Sequence, residues 1–114
     1  MDRALARGAV WYAELDPTRG HEQGSPRPAV IVSANTFNAG PAALVIVCPL
    51  TTRDRGIPSH VRIEPPEGGL RRRSFVQCDQ VRTVSTVRLV SRFGDLSATS
   101  MAAIDARLRI LLAL

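Results

Sequence analysis

The apolar residues between positions 9 and 93 come in short runs, each ended by a glycine, a proline or a cluster of polar turn residues. Punctuation of this kind leaves little room for long helices and suits short strands joined by tight turns. The runs are AVWYAEL (9–15), PAVIVS (28–33), ALVIVCPL (43–50), SHVRIE (59–64), SFVQCDQ (74–80) and RLVSRF (88–93), parted by loops such as NAGP and EPPEGG. Two of them, 28–33 and 43–50, are apolar and rich in β-branched residues, as expected of central strands. SHVRIE alternates instead: Val61 and Ile63 face one way and His60, Arg62 and Glu64 the other, the pattern of a half-buried antiparallel strand. ANTFN, after the second run, has room for one helical turn.

Only the C-terminus carries helical spacing. Ser97 is placed to cap a helix, and Met101, Ile104, Leu108 and Leu111 recur at three- and four-residue steps along one face. Asp105 and Arg109 stand four apart on another face, the spacing of a helical ion pair. The last turn, ILLAL, is apolar nearly all round, which suggests a subunit interface. Short strands closed by one helix describe a small α+β or barrel-like domain. A length of 114 residues fits one such domain over 1–114, with no internal repeat and no dividing linker.

The fifteen basic side chains are all arginine, and the net charge is +5. Arginine presents a planar fork that grips phosphate at two points, so an anionic partner is favoured, either nucleic acid or an acidic protein segment. The start, MDRALARGAV, lacks the apolar core of a signal peptide. No uncharged apolar run approaches the ~20 residues needed to span a bilayer. Cys48 and Cys78 lie in strand-like runs without metal spacing and read as buried free thiols of a cytoplasmic protein. With only His21 and His60 beside them, neither a metal site nor a cofactor is expected.

Two loops concentrate polar chemistry. Residues 16–27, DPTRGHEQGSPR, form a long Gly- and Pro-rich connection of a kind that is often functional. It ends on Arg27, set between Pro26 and Pro28. Each proline fixes its own φ, and Pro28 pushes Arg27 toward extended geometry, so the guanidinium has little backbone freedom left to lose. The other loop, TTRDRGIPS, follows the third strand with Thr51, Thr52, Arg53 and Arg55. An antiparallel sheet can bring both loops to one edge. The sequence has no G-x-S-x-G, no P-loop, no histidine pair on a helix and no CxxC. His21 and His60 could serve a two-histidine ribonuclease, although His60 on a half-exposed strand reads as a surface residue. What remains is a phosphate-handling set: Arg27, His21 and Glu22, then Thr51, Thr52 and Arg53, then Asp79 and Gln80. Arginine stabilises a dianionic phosphorane and threonine donates to a non-bridging oxygen. These residue types describe a basic β-domain that binds an anionic polymer.

In this order, the segments RGAVW, LDPTRGHEQ, RPAV, PLTTR and CDQVRT resemble the MazF/PemK family of toxin endoribonucleases, over nearly the whole chain. The resemblance implies a Src-homology-3-like small barrel, also used by CcdB gyrase poisons, which forms homodimers. It implies metal-independent cleavage of single-stranded RNA at short sequences, the 2′-hydroxyl attacking the adjacent phosphate. It also implies inhibition by a cognate antitoxin whose acidic tail occupies the RNA groove. The family's RPAV arginine falls on Arg27 and the threonine after its third strand on Thr51, which makes these the implied catalytic pair.

PemK/Kid-type members place an arginine two residues before the aspartate of CDQ as general acid, with that aspartate as base. Here the position is Gln77, with Asp79 retained. The acid's role then passes to Arg27, which stabilises charge and protonates the leaving 5′-oxygen. An arginine cannot double as base, since a guanidinium stays protonated in proteins. The base stays open among Glu22, Asp79 and water. The rival readings are a CcdB-like gyrase poison and an RNA-binding barrel without catalysis. CcdB proteins carry an aromatic-glycine C-terminal tail, whereas this chain ends LLAL.

Overall fold

The computed structural model describes residues 3–15 and 26–114. Strands β1 (Ala9–Ala13), β2 (Arg27–Ile31), β3 (Leu44–Thr51), β4 (His60–Ile63), β5 (Ser74–Gln77), β6 (Arg82–Ser85) and β7 (Leu89–Asp95) precede one long helix, and the short helix α1 (Asn35–Asn38) follows β2. The long helix, α2, spans Ala98–Leu112. All strand pairings are antiparallel, in the order β4-β5-β3-β2-β1-β7, with β6 also on β3. This is the mainly β, α+β architecture expected from the punctuation of the sequence.

Strand β3 organises the sheet. One edge pairs with β2, while the other serves β6 along Leu44–Val47 and β5 at Leu50–Thr51. Pro49, which has no N–H to give a ladder, falls at the break between those two partners. The chain fills the gap with a 3-10 turn, Cys78–Gln80, so β5 stops at Gln77 rather than running to residue 80. β6 is a strand the sequence does not announce, because in RTVS only Val84 is buried.

Apart from Arg27 and Thr51 at their ends, the central strands β2 and β3 are apolar because both of their faces are covered. Val30, Cys48 and Leu50 join one core with Val61, Ile63, Val76 and Ile104. Their neighbours Ala29, Ile31, Val45 and Val47 face a second core with Ala13, Leu15 and Val84. Alternation along the strand assigns successive side chains to opposite cores. Cys48 and Cys78 are free and fully buried. The neighbouring Cys78 thiol, together with burial, holds the Cys48 thiol well above its ordinary range.

Helix α2 starts as expected: the Ser97 hydroxyl accepts from the Ser100 N–H at 3.1 Å. Ile104 is buried, and Met101 and Leu108 pack against the first core. Asp105 does not pair with Arg109; it binds Arg7, which also donates to the Val32 carbonyl at 2.9 Å. The helix is therefore tied to the β2–α1 connection rather than braced along its own length. Glu67 adds a second contact at the helix start, where its Oε2 accepts the Ser97 N–H at 2.9 Å. Burial raises the Glu67 pKa, but hydrogen bonds from Ser100 and Ser97 outweigh it and leave the carboxyl below 4.5. A depressed folded pKa stabilises the protein above the ordinary carboxylate value, and that contribution is lost as pH falls through the lower folded value. Glu67→Gln is therefore expected to flatten the acid limb of stability. Urea midpoints across the acid range check this; an unchanged limb would remove Glu67 from the helix start.

The 3-10 turn Glu67–Gly69 after β4 lies against β7, the far edge of the strand order, so the sheet curls toward closure. The approach is backbone on backbone. Gly68 and Gly69 have φ of +69° and +73°, and a Cβ at Gly69 would stand 2.1 Å from the Phe93 carbonyl oxygen. Only glycine meets both demands.

Candidate active site

Arg27 opens β2, its backbone registered against Ala13 and its side chain exposed. Thr51 closes β3 opposite Phe75, and Gln77 closes β5 opposite His60. Three strand ends thus converge. They enclose a groove of about 400 Å³ lined by Arg27, Thr51, Thr52, Arg53, Arg55 and Gln77, with Pro28 and Leu50 behind them. The expectation that the two polar loops share one edge holds for their described parts. A smaller recess of about 110 Å³ adjoins, lined by Leu15, Arg27, Pro49, Gln77, Gln80 and Arg82. Arg27 and Gln77 line both spaces and so stand at their junction.

The loop after β3 is held by local hydrogen bonds. Thr51 Oγ1 accepts from the Arg53 N–H at 3.2 Å, and Asp54 Oδ1 accepts from the Gly56 N–H at 3.0 Å. Serine, threonine and aspartate commonly stabilise turns in this way. Because the Thr51 oxygen is occupied as an acceptor, its own proton stays available to a ligand. Gln77 is buried and its Oε1 has no hydrogen-bond partner. Among the described residues, no carboxylate pairs with Arg27, Arg53 or Arg55. Among the described residues the groove is thus a positive surface of guanidiniums and hydroxyls, suited to an anionic ligand.

Asp79 lines neither space. Its Oδ1 lies 3.1 Å from Nε2 of His60. His60 is not the surface residue its strand suggests: it is buried at 8% exposure, under the 3-10 turn that carries Asp79. The pair anchors that turn from outside the groove. His21 and Glu22 lie outside the described residues, as do most of residues 16–27. Arg82 enters through β6, the strand the sequence does not announce, since Val84 is the one apolar residue in R-T-V-S. No group of three or more His, Cys, Asp or Glu side chains suited to a metal ion occurs among the described residues.

This geometry has relatives. Residues 6–112 match the family described as PemK-like, MazF-like toxin of type II toxin-antitoxin systems. The chain is 34% identical over 111 residues to Endoribonuclease MazF9 of Mycobacterium tuberculosis, covering 93% of this chain and 94% of that protein. It is 33% identical to Endoribonuclease EndoA of Bacillus subtilis, covering 96% of each. Among solved structures, a MazE–MazF crystal structure from Deinococcus radiodurans superposes with a TM-score of 0.83 at 29% identity, covering 99% of both chains. Fold and sequence agree that the chain belongs to the PemK-like, MazF-like toxin family of type II toxin–antitoxin systems.

Proposed function

We propose that this MazF-family endoribonuclease cuts single-stranded RNA at short sequences without a metal ion, by attack of a 2′-hydroxyl on the adjacent phosphate. The observation that carries the reading is the convergence of Arg27 and Thr51 in one groove with guanidiniums around them that, among the described residues, pair with no carboxylate. Arg27 stabilises the charge that builds on the phosphorane and gives a proton to the leaving 5′-oxygen. Thr51, its oxygen already accepting from the Arg53 N–H, donates to a non-bridging oxygen. Thr52, Arg53 and Gln77 line the path of the RNA strand. Asp79, engaged by His60, supports the turn rather than taking the 2′-hydroxyl proton. That step falls to Glu22 or to water, with His21 beside Glu22 on the same loop.

The whole chain, 1–114, acts as one toxin domain in the cytoplasm; among its described residues no helix is long and apolar enough to cross a membrane. It works as a homodimer, with the exposed Ile110, Leu112 and Leu114 at the end of α2 in the interface. A cognate antitoxin with an acidic segment neutralises it by filling the same basic groove, where carboxylates replace phosphates.

Incubation of the purified protein with a mixed RNA pool in EDTA, followed by sequencing of the new 5′ ends, tests this. Cuts at one recurrent short sequence are expected. No cleavage until magnesium is added, or cuts without any sequence in common, would contradict the reading.

A further inference from the structure

A second cavity, of about 460 Å³, lies beside the groove and shares Pro28 and Thr52 with it. Beyond those two residues its walls are Leu70, Arg71, Arg72 and Phe93, on elements that the RNA chemistry above does not use. Phe93 stacks on Tyr12 with ring centroids 5.7 Å apart, so the aromatic wall is braced from β1. The glycine contacts of the Glu67–Gly69 turn with β7 fix the floor, and the cavity is therefore shaped before any ligand arrives. Arg92 at the rim is held by Asp95 at 2.5 Å. Arg71 and Arg72 are exposed, and among the described residues neither pairs with a carboxylate.

We propose that this cavity is a nucleotide subsite that holds the RNA strand on one side of the scissile phosphate. The base rests against Phe93 and the apolar wall, and its phosphate lies between Arg71 and Arg72. An aromatic ring combined with guanidiniums is the pairing that single-stranded nucleic acid exploits, because every base has a π-face and every linkage a charge. The volume falls within the range of small-molecule sites. An acidic peptide would use the arginines but leave Phe93 and Leu70 without a matching group. Continuity through Pro28 and Thr52 lets one strand occupy groove and cavity together. The proposal rests on the groove being an RNA site.

The test uses RNAs made 2′-deoxy at the scissile position. One is limited to the sequence cut from the pool, and the others are extended stepwise at either end. For the unaltered protein, extension at one end raises affinity about tenfold, the scale of one base stacked on an aromatic ring. Phe93→Leu loses that gain, and so does Arg71→Gln combined with Arg72→Gln. Both variants bind the short RNA as the unaltered protein does, and cut its unmodified form at the same kcat/KM. Because the arginines are exposed, the second variant keeps the test sound even if Phe93→Leu fails to fold. A short RNA that is cut while extension brings no gain overturns the subsite alone. Equal loss on short and long RNAs overturns it too. Lost binding of an acidic peptide with the RNA gain intact would assign the cavity to a protein partner and overturn it as well. If the short RNA is not cut at all, the ribonuclease reading falls and the subsite with it.

Discussion

Arg27→Ala is expected to lower kcat/KM for RNA cleavage at least ~100-fold, the scale of removing one preorganised charge donor. The fold should survive, because Arg27 is exposed and contributes to β2 through its backbone register with Ala13. Among the described residues its guanidinium holds no ion pair, so truncation strands no buried partner. The loss should appear mainly in kcat, since charge on the phosphorane develops only in the transition state. Arg27→Lys should rescue poorly, because an ammonium is a point charge without the fork that meets two phosphate oxygens. Cleavage of a defined RNA alongside urea midpoints checks both halves. Near-unaltered turnover by a folded Arg27→Ala protein would remove Arg27 from the chemistry.

The prolines explain why this arginine was legible before any coordinates. Pro26 and Pro28 restrict the backbone on both sides, and β2 begins at Arg27 between them. Such rigidity costs nothing in the folded state and reduces what ordering the side chain would otherwise lose. The threonines at the end of β3 were legible for a related reason: a polar pair ending an apolar strand marks where that strand leaves the core. Gln77 was not legible from residue chemistry alone and entered only through the family resemblance. Its place at the groove depends on β5 ending where the β3 edge changes partner, a tertiary event that no local pattern records.

The same limit accounts for the readings that changed. Alternation in SHVRIE placed Val61 and Ile63 in the core and exposed Arg62 and Glu64, as the structure has them. It misjudged His60, because alternation tells which face a residue takes but not whether another element covers that face. Here the Cys78–Gln80 turn does, with Asp79 as the partner. Asp105 and Arg109 are correctly spaced for a helical pair, yet Arg7 arrives from the N-terminal segment and takes the carboxylate. An exposed pair on a helix is worth only about 0.3–0.5 kcal/mol, so a tertiary competitor displaces it easily. The RRR run beside EPPEGG gave no sign of a cavity, since the wall it faces comes from β7, some twenty residues later in the chain.

The central claim is that the RNA supplies its own nucleophile while the groove supplies charge and a proton. One substitution in the substrate isolates that claim. A short RNA bearing the cut sequence is compared with the same RNA made 2′-deoxy at the nucleotide whose 2′-oxygen would attack. Removing that oxygen deletes the nucleophile and leaves the phosphates, bases and all other hydroxyls for the groove to hold. The deoxy RNA should bind within about tenfold of its parent, because one neutral hydrogen bond contributes only ~0.5–1.5 kcal/mol, and it should remain intact after complete turnover of the parent. The parent's products should carry a 5′-hydroxyl on the downstream fragment and a 2′,3′-cyclic phosphate on the upstream one. Cleavage of the deoxy RNA at the same bond, at a rate near that of its parent, would contradict the account and require an attacking water or protein side chain instead.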